Sequence, residues 1–255
     1  PSTFGFAFPT TVGNPNLTPE TADTWTAGVV ITSPFTSALF NRFRLSVDWF
    51  DISVEDAIGE QTVAVALQQC FDPALNPAFA SGSAVDVANS QFCQLVPRNA
   101  QNGGLGNVSR TYVNNGAFSV QGIDAQLDWG FDVGPGALNL NVLANYLIHF
   151  ESSALAGIVP TVDYVGTQGT GENGLNTGVY EYRILTTVGY NWGPAYVGIQ
   201  WQHLPSIEDA SEAQFGPNTT TGYPSYNLFD LNGSYAITDD INLRFGIQNL
   251  FNKRP

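Results

Sequence analysis

Apolar and polar side chains alternate strictly along most of this chain. A period of two puts successive side chains on opposite faces of an extended strand, so the pattern commits the sequence to sheet. Phe43, Leu45, Val47 and Trp49 alternate with Arg44, Ser46 and Asp48. Past the Trp49-Phe50 pair the phase inverts, to Phe50, Ile52 and Val54 against Asp51, Ser53 and Glu55, which predicts a β-bulge near Trp49. Ile123, Ala125, Leu127, Trp129 and Phe131 keep the period, as do Leu138, Leu140, Val142, Ala144 and Tyr146, with Leu143 the exception among their polar partners. Helical spacing is not evident, and no helix is expected anywhere.

Eight strands follow, at about Thr24–Ser33, Phe43–Ile58, Val108–Phe131, Ala137–Phe150, Glu181–Asn191, Ala195–Leu204, Tyr226–Ala236 and Ile241–Leu250. Their connections alternate in length. Short ones at 34–42, 132–136, 192–194 and 237–240 interleave with long ones at 59–107, 151–180 and 205–225. Short turns at one rim and long loops at the other describe an all-β, antiparallel up-and-down transmembrane barrel, with turns in the periplasm and loops outside.

Composition supports that architecture. Charged residues make up 12% of the chain against 43% hydrophobic, about half the charge of an ordinary soluble domain. A lipid-facing band in place of a charged surface accounts for the deficit, and Trp25, Trp129, Tyr190, Trp192 and Trp201 near strand ends suit aromatic girdles. The apolar stretches Ala27–Ile31 and Ala154–Val159 are far short of the roughly 18 to 20 residues of a spanning helix. A net charge of −14 repels phosphate backbones and excludes nucleic acid as a partner. The chain opens at Pro1 without Met or a signal pattern and reads as a fragment, its targeting information lying elsewhere. Cys70 and Cys93 share one stretch rich in Pro, Asn, Asp and Ser, the setting of an exported disulfide, the alternative being two free thiols in a reducing compartment.

Two segments then become familiar. NPNLTPETADTWTAGV (Asn14–Val29) and YNLFDLNGSYAITDDINLRFGIQNLFNKRP (Tyr226–Pro255) resemble the carboxy-terminal part of TonB-dependent outer-membrane receptors. FRLSVDWFDISVEDAI (Phe43–Ile58) and NNGAFSVQGIDAQLDWGF (Asn114–Phe131) resemble that family's paired strands around a large outer loop, and the Cys70–Cys93 stretch is similar to its disulfide-bearing loops. The resemblance implies a barrel of about 22 strands plugged by an amino-terminal domain. Residues 1–255 would be about eight of those strands, with the plug, its TonB-binding box and the final strand outside the chain. It further implies a bacterial outer-membrane location, outer-membrane lipid and the inner-membrane TonB complex as partners, and uptake of a small scarce nutrient: a metal chelate or siderophore, a cobalamin-like molecule or a glycan.

No catalytic chemistry emerges, and neither a resident cofactor nor a metal centre is expected. GTGENG (Gly169–Gly174) matches a dinucleotide fingerprint in letters, yet no buried strand precedes it and no helix follows, so it reads as an outer loop. His149 and His203 fall at the outer ends of strands and are the candidate substrate contacts. The acidic pairs Glu55-Asp56, Glu208-Asp209 and Asp239-Asp240 read as solvated strand ends, and the Asn107 and Asn218 sequons carry no weight in a bacterial setting.

The register predicts Leu127, Trp129, Leu140, Val142, Ile199, Leu231, Leu243 and Phe245 toward lipid, and Asp124, Gln126, Asn139, Asn141, Asn232 and Arg244 toward the lumen. Two other functions compete with transport: a closed eight-stranded barrel acting as anchor or adhesin, and a secreted carbohydrate-binding β-sandwich. Inward rows with little bulk, marked by Gly122, Gly198 and Gly246, favour an open arc of a wider barrel, with the Thr24 and Ile241 strands not paired to each other.

Overall fold

The computed structural model describes residues 9–60, 63–99, 101, 103–153, 161–168, 178–217, 220 and 222–254. The glycine run 169–174, Asn218 and Pro255 lie outside them. Eight long strands form one sheet: β1 (Thr21–Thr32), β2 (Arg42–Glu60), β3 (Ser109–Val133), β4 (Gly136–Ser153), β5 (Tyr182–Trp192), β6 (Ala195–Leu204), β7 (Tyr226–Ala236) and β8 (Asn242–Ile247). Each pairs antiparallel with the next. The sheet stays open, with β1 and β8 as its two edges. That is the arc the inward rows favoured, and it departs from the closed eight-stranded barrel.

Direct cross-strand partners share a face, so register sorts the side chains. Ile31, Leu45, Leu127, Val142, Thr186, Trp201 and Phe229 form one outward row across seven strands. Ile199, Leu231 and Ile247 belong to the same face, with Leu243 and Phe245 beside them on β8. Asp124, Gln126, Asn139, Asn141, Asn232 and Arg244 all fall on the opposite, inward face. Both lists agree with the predicted register.

A sandwich would bury its apolar rows, but here Trp25 is 71% exposed, Leu243 57% and Phe245 52%. An apolar face spanning eight strands far exceeds the few hundred Å² that soluble monomers leave uncovered. Lipid is the environment that such a face fits.

The expected bulge near Trp49 is not there. Pairing of β2 with β3 is unbroken from Arg42 opposite Gly130 to Val54 opposite Phe118, and the first irregularity comes around Asp56, whose φ is 55°. What inverts is the surroundings rather than the register. Trp25, Asp51, Gln121 and His149 are successive cross-strand partners on the outward face, and beyond that height the outward row turns polar with Ser53 and Ser119. The inward row turns apolar at the same height, with Ile52 opposite Val120 and the Phe118 and Phe150 rings edge to face at 4.9 Å. From Arg42 to Asp51 a strand advances about 30 Å, or about 23 Å across a bilayer at a tilt of about 40°, close to the ~25 Å apolar band of such barrels.

Helices do form, contrary to the reading from periodicity. The long β2–β3 connection folds as α1 (Val63–Phe71), a 3-10 turn (Pro77–Ser81), α2 (Ala84–Ala88) and α3 (Gln91–Gln94), and the β6–β7 connection holds α4 (Ala210–Phe215). Side-chain caps set the starts of the 3-10 turn, α2, α3 and α4. Asn76, Ser83, Ser90 and Asp209 accept backbone N–H groups of Ala78, Asp86, Cys93 and Ser211. Ala66, Cys70, Cys93, Val96 and Val108 make a small core beneath the helices, closed by the Cys70–Cys93 disulfide.

Candidate transport surface: the polar inner face and its mouth

The inward row is polar because its side chains meet neither lipid nor a second sheet. Asn141 Nδ2 donates to Asp128 Oδ1 at 2.7 Å and Gln126 Nε2 to Asp128 Oδ2 at 3.0 Å, while Asn145 Nδ2 donates to Asp124 Oδ1 at 2.7 Å. Asp48 stands directly opposite Asp124, an arrangement that like charges disfavour. Two neighbours relieve it. Asn145 supplies its amide to Asp124, and Gly28 lets the Asp48 carboxylate lean away into the space a Cβ would fill. A trough of about 490 Å³ crosses this face from Ser46 and Asp48 to Arg183, Gln200 and Gln202. Among the described residues no three His, Cys, Asp or Glu side chains gather into a possible metal site.

Neither histidine lines that trough. His203 is on the outward face opposite Ile184 and Asn227, its ring stacked on Tyr182 at 5.6 Å. Trp201 Nε1 donates to Asn227 Oδ1 at 2.9 Å, and His203 Nδ1 lies 2.9 Å from the same oxygen. His149 is opposite Gln121 on β4, and β5 separates the two histidines. With Trp25, Tyr182 and Trp201 they belong to an aromatic rim at the long-loop end. A second rim stands at the short-turn end, where Trp129 Nε1 donates to the Leu39 carbonyl at 2.7 Å and Tyr190 Oη to the Val133 carbonyl at 2.9 Å.

The long-loop end carries a second concavity. Strands Thr167–Gln168 and Glu208–Asp209 pair there in parallel, and Ile207, 1% exposed, pairs with Tyr223 beneath them. Next to them the chain after β8 turns back over β7. Asn249 N–H donates to Asp230 Oδ1 at 2.7 Å, Lys253 N–H to Asn249 Oδ1 at 2.7 Å, and Tyr226 Oη to the Lys253 carbonyl at 3.3 Å. Asn249 and Asn252 have φ of 51° and 50°, the left-handed region that asparagine tolerates better than other non-glycine residues. This turn brings Lys253 and Arg254 to the edge of a cleft of about 540 Å³ that Tyr180, Tyr223 and Tyr226 line. Arg183 lies over the Tyr180 ring, 5.3 Å from its centroid.

Periodicity could not reveal that cleft, since three separate loops build it. Its one sequence trace is the pair of cations that closes a chain with few others. Nearby, hydrogen bonds from the Ser211 hydroxyl and then the Ser211 backbone N–H hold the Asp209 carboxyl below the ordinary carboxylate range.

Comparison with known proteins agrees with this architecture. The siderophore receptor PirA of Acinetobacter baumannii superposes with a TM-score of 0.54 at 17% identity, over 95% of this chain and 29% of its own. A variant of the ferric enterobactin receptor of Pseudomonas aeruginosa, in complex with enterobactin, gives 0.55 at 14%, over 96% and 28%. The FrpB iron transporter of Neisseria meningitidis gives 0.52 at 12%, over 95% and 29%. The chain thus spans under a third of each of these receptors. No curated protein matches it by sequence. Residues 1–250 match the family described as TonB dependent receptor-like, β-barrel. With its outward apolar rows, polar inner face and open antiparallel sheet, the chain belongs to the TonB-dependent receptor β-barrel family of the outer membrane.

Proposed function

We propose that this chain is part of the wall of an energy-coupled transporter that takes up a scarce nutrient across the bacterial outer membrane. The observation that carries the reading is the inversion of polarity at the Asp51–Gln121 height, which delimits an apolar band outside and a polar wall inside the same strands. The long loops stand outside and present the ligand. A plug domain gates the lumen, and the TonB complex of the inner membrane supplies the energy. The family's receptors are transporters rather than enzymes. Metal chelates and siderophores, cobalamin-like molecules and glycans are the substrate classes in question, and the siderophore and iron receptors among the solved structures support the first.

The test is accumulation by cells that carry the intact receptor as their sole route of entry, offered labelled ferric chelates, cobalamin and oligosaccharides in turn. One of these should accumulate, and a protonophore should abolish the accumulation. Accumulation indifferent to the protonmotive force, or none above receptor-free cells with any of the three, would contradict the reading.

A further inference from the structure

We infer that the apolar groove of the disulfide-closed module between β2 and β3 is the seat of this chain's own segment Phe4–Phe8, which straps the chain entering β1 to that module. The inference holds whatever nutrient the receptor carries.

A concavity of about 750 Å³ opens between α1, the 3-10 turn, α2 and α3. Phe71, Phe79, Val87, Val96 and Pro97 line it, and Arg98 is the one charged residue among its described walls. Phe71 is left 45% exposed. In a module this small, a ring left in water forgoes burial that would stabilise the whole unit. Arg98 turns its guanidinium over that ring, 5.1 Å from the centroid, and donates Nη1 to the Gly103 carbonyl at 3.1 Å. Ring faces, aliphatic walls and a cation already engaged suit an uncharged aromatic guest better than an acidic one.

The chain before β1 is aimed at this groove. Thr10–Val12 runs parallel to Ser109–Thr111, and Thr10 N–H donates to the carbonyl of Val108, a buried member of the module's core, at 3.0 Å. Further contacts fix the aim: Arg110 Nη2 donates to Thr11 Oγ1 at 3.2 Å, Asn14 Nδ2 to the Tyr112 carbonyl at 2.9 Å and Asn114 Nδ2 to the Thr18 carbonyl at 2.7 Å. Followed backward from Thr10, the parallel direction leads past Asn107 and Gly106. Gly106 N–H donates at 2.8 Å to the carbonyl of Pro97, which is part of the groove's wall.

The sequence that precedes Thr10 matches the groove in chemistry and reach. Residues 1–9, PSTFGFAFP, carry no charged side chain, and Phe4, Phe6 and Phe8 stand at alternate positions, which share one face of extended backbone. Extended chain from Thr10 reaches about 7 Å to Phe8 and about 20 Å to Phe4. A segment tethered this near is present at an effective concentration on the order of millimolar, which a separate partner has to exceed. Seated there, the rings cover Phe71 and Val87, and the entry to β1 moves as one body with the β2–β3 module.

The test places the photo-crosslinking residue p-benzoylphenylalanine at position 6 of the intact receptor in detergent and identifies the crosslinked peptides by mass spectrometry. Crosslinks should fall on Phe71, Phe79, Val87 or Pro97 of the same chain, and Phe79→Ser/Val87→Ser should lower their yield at least tenfold. A second variant leaves the module untouched: Phe4→Ser/Phe6→Ser/Phe8→Ser should raise the exchange rate of amides in α1 to α3 at least fivefold, with β5 and β6 unchanged. Crosslinks that fall outside the groove, on a second copy of the receptor or on another protein would overturn the inference. So would a triple variant whose module exchanges like the parent's.

Discussion

Tyr196 lies flat across Gly198, its hydroxyl occupying the space where a Cβ on that glycine would stand. Gly189, the cross-strand partner of Gly198, is covered by the same ring, whose Cε2 is 2.7 Å from the position of its missing Cβ. The inner wall at this point owes its packing to the absence of two side chains.

Substitution at Gly198 should therefore be costly. Gly198→Val drives the Tyr196 ring off its seat, at a cost of about 1 to 3 kcal/mol, as overpacked sites show. Tyr196→Ala should recover part of that loss, because the two changes share one contact and their effects are not additive. Urea unfolding of the refolded receptor in detergent measures both. Full additivity would show that the ring and the glycines are not coupled.

Val142 stands midway along the outward run from Leu138 to Tyr146. Arginine there should cost roughly 2 to 4 kcal/mol, and near zero at the rim position Gln121, where the outward row is already polar. Folding into lipid vesicles of graded denaturant content compares the two. Tolerance of arginine at 142 would remove the lipid-facing assignment.

These sheet positions were legible in the sequence because a period of two is a local signal: each apolar residue in Phe43–Trp49 or Leu138–Tyr146 announces its face through its neighbours. The Trp49 inversion was visible but misattributed. A change of solvent along a straight strand leaves the same letters as a bulge, and only the unbroken pairing from Arg42 to Val54 separates them. The helical module was missed because its helices are short and set by caps, although Val63, Ala66, Leu67 and Cys70 do keep helical spacing and Asn76-Pro77 and Ser83 to Asp86 are start signals. The mouth cleft left no trace beyond the cations Lys253 and Arg254, since Tyr180, Tyr223 and Lys253 meet only through tertiary structure.

The Cys70–Cys93 bond closes a loop with 22 residues between its ends, for which chain entropy gives a stabilisation of about 3 kcal/mol. Cys70→Ala/Cys93→Ala should raise hydrogen exchange across α1 to α3, whose core is those sulfurs with Ala66, Val96 and Val108, and leave β2 and β3 protected. Loss of protection in the strands as well would show that the module supports the sheet.

Asp209 caps α4 as a carboxylate, and Ser211 lowers its pKa from 3.8. A depressed folded pKa means that the cap's contribution is complete above the unfolded value and is lost as pH falls through the folded one. Protection factors of the α4 amides, which take out the pH dependence of intrinsic exchange, should therefore be unchanged from neutral pH to about pH 5 and fall below the ordinary carboxylate value. Asp209→Asn retains an acceptor and should abolish the pH dependence while keeping the helix. Loosening of α4 between pH 7 and 5 would point to another group.

The alternation of faces is the central claim, and spin-label accessibility along β4 tests it most directly. Nitroxides placed singly at residues 138 to 145 of the intact receptor in lipid vesicles report collisions with oxygen in the bilayer and with a water-soluble nickel chelate in the lumen. The account predicts a period of two: oxygen-dominated relaxation at Leu138, Leu140, Val142 and Ala144, and nickel-dominated relaxation at Asn139, Asn141, Leu143 and Asn145. Uniform access of the nickel reagent to all eight positions, or the inverse phase, would contradict it.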